Sequence, residues 1–335
     1  MRGKTKNQYG NIRVPVAQAD ETGAVSLNGQ LAKIAHLYYI ENLGQREIAE
    51  RMNISIASVS RAIAKARDLK IVTIAIQGGE NDFSELEIEM EQTFSLRECL
   101  LVPRFDSIEL TYRKMAVAAS DLFSRVLKPG NTVGVSWGET MKAIGENLPR
   151  GAANGVDVVP IIGAMGRIET GIYPNSIART FAEKLGGNAY LVNTPALVDS
   201  SKVRSSLMED SNFRQVRDLW ERLDMAVLGV SGLGTDSSVY RGGIFTEEEL
   251  ARMTQDGSAC ASNFILFDEE GRVVHTEISD RLVCLPLERL KKVRNVVLTA
   301  AGPSKTEPLR AMLHSGICSC LITDAECARE MLDRL

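Results

Sequence analysis

Two short glycine-containing stretches carry residue types that could bind an anion. In the first, GVSWGET, an apolar run passes directly into a helical pattern, and the candidate contacts are Gly134, Ser136, Trp137, Gly138 and Thr140. Backbone N–H groups at a helix start, together with hydroxyl groups, suit a phosphate. The glycines could instead serve only a tight strand-to-helix turn, which glycine forms at low steric cost. The stretch alone leaves both interpretations open.

The second stretch is NVVLTAAGPSK, residues 295–305, which ends another apolar run with Gly302, Ser304 and Lys305. A lysine acts as a point charge for phosphate, although a lysine in a loop is usually only a surface residue. Two such turns in one sheet favour a shared phosphate or sugar-phosphate site, since binding pockets combine convergent polar groups. A third polar stretch, GAMGRIETGIYPNSIART, adds Arg167 and Asn175 as candidates.

The sequence gives no sign of a catalytic, metal or cofactor site. The six cysteines are scattered without CxxC spacing, and the three histidines form no HxxxH pair. Zinc sites require closer ligand spacing. Asp224, Glu277 and Asp280 are candidates for a general base, but no pattern orients them toward a substrate. We therefore expect no catalytic residue, no bound metal and no cofactor.

The stretch QREIAERMNISIASVSRAIAKARDL, residues 45–69, has the pattern of a helix-turn-helix. Ile48 and Met52 face a core, Ala49 is small where two helices cross, and Asn53 tolerates a left-handed turn. Ser55 can cap the second helix. A supporting helix is predicted over 31–43, ended by Gly44, and a wing strand over 71–77. A plain helical hairpin with a charged face is the alternative.

The second of these helices presents residues that suit the major groove of DNA. Hydroxyl groups and arginine can contact base edges or phosphates, and small apolar groups can contact thymine methyls. The candidate DNA contacts are Ser55, Ala57, Ser58, Ser60, Arg61 and Lys65.

From about residue 100 onward, apolar runs alternate with amphipathic stretches, which predicts an α/β domain with a parallel sheet covered on both faces. Ligands of such sheets lie beyond the carboxyl ends of the strands, where both glycine-containing turns are expected. We divide the chain into a flexible N-terminal segment (1–27), a helix-turn-helix domain (28–77), a linker helix (78–96) and an effector domain (97–335).

Composition and charge agree with this division. Of the 335 residues, 44% are hydrophobic and 24% charged, which is average globular usage. Residues 1–72 contain eleven Lys and Arg against six Asp and Glu, whereas the remainder contains 28 against 37. The excess of basic residues in this N-terminal part suggests contact with a polyanion. No apolar run is long enough to span a bilayer, and no signal peptide is visible, so we expect a cytoplasmic protein without membrane contact.

The order of motifs resembles the SorC family of bacterial sugar-responsive transcriptional regulators. After the helix-turn-helix, the motifs are LEIEMEQTFSL, VGVSWGET, VVPIIGAMG, YPNSIARTFAEKLGG, LWERLDMAVLGV, LFDEEG, ISDRLVCLPLERLKKV, AAGPSK and LITDAECAREML. The resemblance implies a winged helix-turn-helix followed by a Rossmann-like effector domain that is similar to sugar-phosphate isomerases and deaminases. It implies operator DNA and a phosphorylated sugar or polyol as partners, and a homo-oligomer, typically a dimer of dimers.

Carried onto this chain, the resemblance implies a phosphate cradle of Gly134, Ser136, Gly138 and Thr140 with Lys305, and it places Arg167 and Asn175 on the sugar side. Two departures keep an unphosphorylated polyol open as the effector. Pro303 lacks an N–H that could bind an anion, and Ala261 stands where the family often has an acidic residue. The alternative function is a sugar-phosphate isomerase or deaminase with an accessory DNA-binding head.

Overall fold

The computed structural model describes residues 27–72, 82–164, 172–235, 237–241 and 245–334. The chain divides into two compact units, Met1–Asp82 and Phe83–Leu335. Residues 1–26 of the predicted flexible segment and residues 73–77 of the predicted wing strand lie outside the described ranges. None of the described helices is long and apolar enough to cross a membrane.

The described part of the first unit contains three helices, α1 (Leu27–Tyr39), α2 (Gln45–Met52) and α3 (Ile56–Asp68). They pack around a small apolar core that is formed by Ile34, Leu37, Ile48, Ala49, Val59 and Ile63. Asn53, between α2 and α3, has a φ of 53°, in the left-handed region. The predicted helix-turn-helix is therefore present, with the small Ala49 buried in the core as expected.

The end of α1 differs from the prediction. The helix ends at Tyr39 rather than at residue 43, and Asn42 has a φ of 54°. Gly44 has a φ of −65° and precedes α2, where its N–H donates to Glu47 Oε2 at 2.7 Å. Gly44 is therefore the N-cap of the second helix and does not end the first. The apolar pattern continues past Tyr39 because Leu43 still packs against the core.

The second unit is built on a six-stranded, wholly parallel sheet of β1 (Glu98–Val102), β2 (Thr132–Val135), β3 (Asp157–Pro160), β4 (Met225–Gly229), β8 (Asn295–Thr299) and β9 (Cys320–Asp324). The strand order is β1-β9-β8-β4-β2-β3. A separate antiparallel sheet contains β5 (Cys260–Ser262), β6 (Ile265–Phe267) and β7 (Val273–Val274). The parallel sheet and its α/β class confirm the prediction.

The helices of the second unit are α4 (Ser84–Phe94), α5 (Ile108–Val126), α6 (Glu139–Asn147), α7 (Pro174–Leu185), α8 (Ser201–Glu209), α9 (Arg214–Glu221), α10 (Ser238–Arg241), α11 (Glu247–Gln255), α12 (Leu287–Leu290), α13 (Thr306–His314) and α14 (Ala325–Leu332). Alternate residues of β4 enter two different apolar clusters: Met225 and Val227 join one, and Ala226 and Leu228 join the other. The first cluster includes residues of α5, α6 and α7, and the second includes residues of α4, α9, α13 and α14. Both faces of the sheet are therefore covered by helices, as buried parallel strands require.

Helix α4, which the sequence suggested as a linker, belongs to the second unit. Its side chains bond to β1, one of the two edge strands of the sheet. Glu91 Oε1 accepts from the Cys99 N–H at 2.9 Å, and Glu87 Oε1 accepts from the Leu101 N–H at 2.8 Å. Edge strands present unpaired backbone groups, and these two glutamates satisfy some of them.

Candidate functional site

Strands β2, β4 and β8 are neighbours in the sheet, and the loops that follow them line a cavity of about 310 Å³. The turn after β2 and the start of α6 contribute Ser136, Trp137, Gly138, Glu139 and Thr140, and the turn after β8 contributes Gly302, Pro303, Ser304 and Lys305. The cavity lies at the carboxyl ends of the strands, where open α/β sheets bind their ligands. Both sequence-predicted turns therefore lie at one site.

The turn after β2 is shaped by Gly138, which precedes α6 with a φ of 112°. L-amino acids rarely adopt this conformation. The first N–H groups of a helix have no partner within the helix, and no side chain caps the start of α6 among the described residues. Thr140, in the first turn, donates from its hydroxyl to Tyr112 Oη at 3.5 Å. Ser136 donates to Asn263 Oδ1 at 3.3 Å.

The turn after β8 brings the Lys305 side chain to the same cavity. Gly302 has a φ of 103°, and Pro303–Lys305 forms a single 3-10 turn before α13. The Lys305 ammonium donates to the Val230 carbonyl, in the loop after β4, at 3.2 Å. The lysine thus links the loops of two neighbouring strands across the cavity.

Two predicted effector contacts, Gly134 and Asn175, do not line this cavity. Gly134 lies inside β2, where a Cβ would approach Ile161 Cγ2 to 2.4 Å, so close packing against that side chain requires a glycine. Asn175, at the start of α7, holds the backbone of Val192 with two hydrogen bonds, of 3.0 Å to its carbonyl and 2.9 Å from its N–H. Arg167 lies outside the described residues.

Several cavity residues were missed by the sequence analysis, above all Asn263 and Phe264. These two residues connect β5 to β6 and have φ values of 49° and 63°, the geometry of a type I′ hairpin turn. Positive φ is common for asparagine but an outlier for a bulky residue. The turn stacks the Phe264 ring on Trp137, with a centroid separation of 5.1 Å. The asparagine was the only sequence signal for this turn.

The described lining of the cavity carries one carboxylate, Glu139, and two cations, Arg241 and Lys305. Glu139 pairs with Arg241 at 3.4 Å, and both side chains are about half exposed. Burial raises the pKa of Tyr112, so its hydroxyl stays protonated near neutral pH. The described lining therefore carries one more cation than carboxylates, and it also contains hydroxyl groups and one stacked aromatic pair.

In the first unit, α3 presents the predicted DNA-contacting residues as a group. Ser55 caps the helix, accepting from the Ser58 N–H at 3.1 Å. Ser58 is half-buried, and its hydroxyl lies 2.8 Å from Ser55 Oγ and accepts from Arg61 at 3.4 Å. The predicted contacts Ser55, Ala57, Ser60, Arg61 and Lys65 are all exposed. The buried side of α3 carries Val59, Ile63 and Ala66.

All six cysteines are buried free thiols. Within the described parts of the chain, no group of three His, Cys, Asp or Glu side chains could hold a metal ion.

Comparison with known proteins identifies the second unit. The family model described as "Putative sugar-binding domain" matches residues 80–333. The sorbitol operon regulator of Klebsiella pneumoniae is 29% identical over 309 residues, which cover 90% of this chain and 97% of that protein. The deoxyribonucleoside regulator of Bacillus subtilis is 27% identical over 305 residues, which cover 90% of this chain and 96% of that protein.

A solved structure agrees with these matches over both units. The crystal structure of the full-length sorbitol operon regulator SorC from Klebsiella pneumoniae has a TM-score of 0.71 and 28% identity, and it covers 91% of this chain and 99% of that one. The order of motifs, the family match and the shared fold lead to one conclusion: the chain belongs to the SorC family and carries its sugar-binding domain.

Proposed function

We propose that the protein is a DNA-binding transcriptional regulator of a carbohydrate or polyol catabolic operon, controlled by a sugar-type effector. The relatives are named as regulators of sorbitol, deoxyribonucleoside and erythritol genes, the last in Brucella abortus at 24% identity. The observation that carries the proposal is the cavity that both Lys305 and the start of α6 line, within a domain of the sugar-binding family.

The chemistry of the cavity favours a phosphorylated effector. A dianion gains from the partial positive charge at the start of α6 and from the Lys305 ammonium. The Thr140 and Ser136 hydroxyl groups can contact phosphate or sugar oxygens, and the Trp137 ring offers an apolar surface for C–H groups of a sugar. Pro303 lacks an N–H and Ala261 lacks a carboxylate, so a free polyol is the alternative ligand.

Binding without turnover fits this cavity better than catalysis does. The only carboxylate in its described lining is Glu139, which is ion-paired with Arg241. Asp224, a candidate base in the sequence, accepts from the Thr132 N–H at the opposite, amino-terminal end of the sheet. Glu277 and Asp280 do not line the cavity either. A general base must lie within hydrogen-bond reach of its substrate, so we propose a sensor rather than an isomerase or deaminase.

The test is calorimetric titration of sugar phosphates and free polyols into the wild-type protein and the Thr140→Ala and Lys305→Ala variants. Lys202→Ala, which removes an exposed lysine of α8 that does not line the cavity, is the control. We expect a phosphorylated compound to bind the wild type and the control, and to bind both cavity variants more weakly. Undiminished binding to Lys305→Ala would refute the phosphate site, and turnover of the compound would favour the enzyme.

We further propose that the protein acts in the cytoplasm as a homo-oligomer, with pairs of helix-turn-helix units on operator half-sites. One helix-turn-helix unit contacts only a short DNA site, and a pair of such units binds two half-sites that lie one or more helical turns of DNA apart. Sedimentation at micromolar concentration should give a dimer or a tetramer. A monomer that binds an isolated half-site at full strength would contradict this assembly.

A further inference from the structure

The backbone N–H and carbonyl of Gly302, in the turn that carries Lys305, are both hydrogen-bonded to buried side chains, those of Asp324 and Cys327. Its N–H donates to Asp324 Oδ2 at 2.7 Å. Its carbonyl accepts from the Cys327 thiol at 3.2 Å. Asp324 ends β9 and caps α14, and Cys327 lies in the first turn of α14. Neither side chain was singled out by the sequence, and neither lines the cavity.

The Asp324 carboxylate connects the loops that follow β1 and β8 with the start of α14. Its Oδ1 atom accepts from Arg104 Nε, in the loop after β1, at 2.8 Å, and from the Cys327 N–H at 3.0 Å. The carboxylate is fully buried, and a buried charge is tolerated only when it is paired and hydrogen-bonded. Every contact of this carboxylate therefore also fixes its position against the Gly302 N–H.

The thiol of Cys327 is a hydrogen-bond donor under ordinary conditions. Burial raises its pKa to about 11, so it keeps its proton at neutral pH. Arg104 also reaches the sulfur, donating at 3.2 Å. The donor toward the Gly302 carbonyl is therefore held by the same arginine that pairs with Asp324.

We propose that Asp324 and Cys327 are positioning residues for the anion site, which hold Gly302 so that Lys305 meets the start of α6. This inference rests on the function proposed above. Gly302 has a φ of 103°, and glycine is the residue with the greatest backbone freedom. The two hydrogen bonds remove that freedom at the first residue of the turn. Binding sites depend on such supporting contacts to hold the contacting group in place.

Four substitutions separate positioning from general stability. Cys327→Ala removes the donor to Gly302, whereas Cys327→Ser keeps a donor of similar size. Asp324→Asn keeps the volume but turns one acceptor into an N–H group that faces a donor. Thr323→Val is the matched control, because Thr323 precedes Asp324, is fully buried, and its hydroxyl has no hydrogen-bond partner among the described residues.

The experiment titrates inorganic phosphate, glucose 6-phosphate and glucose into the full chain and each variant, with the melting temperature measured in parallel. We expect Cys327→Ala and Asp324→Asn to bind the phosphorylated probes about tenfold more weakly, the effect of losing one charge-assisted or buried hydrogen bond. Cys327→Ser and Thr323→Val should bind them within about twofold of the wild type. The rescue by serine distinguishes positioning from a loss of packing.

The outcomes separate the two proposals. If the wild type binds neither phosphorylated probe, the phosphate site itself fails, and the positioning role fails with it. If the wild type binds but Cys327→Ala binds equally well, only the positioning role is refuted. Equal weakening by the alanine and serine variants would refute it too, as would equal weakening by Thr323→Val. The comparison of Cys327→Ala with Cys327→Ser tests the positioning role even if Asp324→Asn does not fold.

Discussion

The two glycines of the stretch 134–140 meet different physical demands. A Cβ on Gly134 would lie 2.4 Å from Ile161 Cγ2 and 3.0 Å from Leu223 Cδ1, inside the packed sheet. A Cβ on Gly138 would meet no described atom within 4 Å, but the residue has a φ of 112°. Gly134 is thus required by packing, and Gly138 by the turn that opens the helix start to the cavity.

Replacing Gly134 by alanine should therefore lower stability. Ile161 is fully buried and cannot move aside freely, and overpacking of this kind costs about 1–3 kcal/mol. Urea unfolding measures the loss. Gly138→Ala is the matched comparison. Its added methyl group meets no described atom, but alanine rarely adopts a φ of 112°, so the variant should disturb the turn at the cavity and weaken binding of a sugar phosphate more than Gly134→Ala does. A Gly134→Ala variant as stable as the wild type would contradict the packing role.

The buried thiols predict a loss of stability at alkaline pH. Burial raises the pKa of Cys284 to about 11 and that of Cys260 to about 12, from 9.0. The folded protein therefore binds these protons more tightly than the unfolded chain does. Their contribution to stability is complete below pH 9 and decreases as the pH rises toward 11 and 12. Between pH 9 and the raised pKa of each thiol, the free energy of unfolding should fall by about 1.4 kcal/mol per pH unit for that thiol.

Urea unfolding of the wild type and Cys284→Ala at pH 8 and pH 10 tests this expectation. Other groups titrate in the same range, so the informative quantity is the difference between the two proteins. The variant should lose less stability than the wild type between the two pH values. Parallel losses in both proteins would mean that Cys284 does not keep its proton in the folded state.

At the scale of elements, α3 combines a buried side and an exposed basic side. Val59, Ile63 and Ala66 hold it against the core, and Arg61 and Lys65 project from the other side. Because Arg61 donates to the Ser58 hydroxyl, the two side chains form one polar group on the exposed face. Such a group can rearrange toward base edges or phosphates without disturbing the core.

Arg61→Ala and Ser58→Ala should each weaken operator binding by about 1–3 kcal/mol. The melting temperature should change little for Arg61→Ala, since its side chain is exposed. Lys33→Ala, an exposed cation of α1 outside the predicted DNA-contacting face, serves as the control. Fluorescence anisotropy with operator DNA measures the affinities. If both variants bind as the wild type does, with the fold intact, α3 is not the recognition helix.

Hydrophobic periodicity predicted the elements that are buried on one or two faces. The apolar runs at 132–136, 225–230 and 295–300 contain strands of the central sheet, and Thr246 and Glu249 form a capping box at the start of α11. The runs at 189–192 and 281–285 form only isolated bridges. An apolar run indicates that a segment is buried, whereas a β-strand also needs a hydrogen-bonded neighbouring strand along its whole length.

The candidate site was predictable only where a local pattern carries it. The turns at Gly138 and Gly302 were visible because glycine follows an apolar run. Asn263, Tyr112 and Arg241 come from other elements, and only the fold brings them to the cavity. The same holds for Asp324, whose contacts with Gly302 and Arg104 span 22 and 220 residues of sequence. Contacts of such separation leave no local pattern.

At the scale of the whole molecule, the chain joins a basic unit of three helices to a larger acidic α/β unit. Two binding sites alone do not make a regulator, because a ligand that binds every arrangement of the protein with equal affinity does not shift the equilibrium between them. The effector must bind the DNA-competent arrangement of the protein with a different affinity from the others. That difference in free energy is the quantity to measure.

Thermodynamic linkage makes this coupling testable from both sides. If a sugar phosphate changes operator affinity by some factor, operator DNA must change the affinity for that sugar phosphate by the same factor, typically about 5- to 150-fold. Anisotropy gives operator affinity with and without saturating ligand, and calorimetry gives ligand affinity with and without saturating operator duplex. We expect the two factors to agree for the wild type.

The variants sharpen the test. We expect Arg61→Ala to weaken operator binding yet leave the coupling factor unchanged, as a predicted DNA contact would if it were made equally in every arrangement that binds DNA. Lys305→Ala should weaken ligand binding, so that a higher ligand concentration is needed for the same effect on DNA. If the ligand alters operator binding while operator DNA leaves ligand affinity untouched, the effect arises outside the linked equilibrium, and the cavity beside Lys305 is not the controlling site.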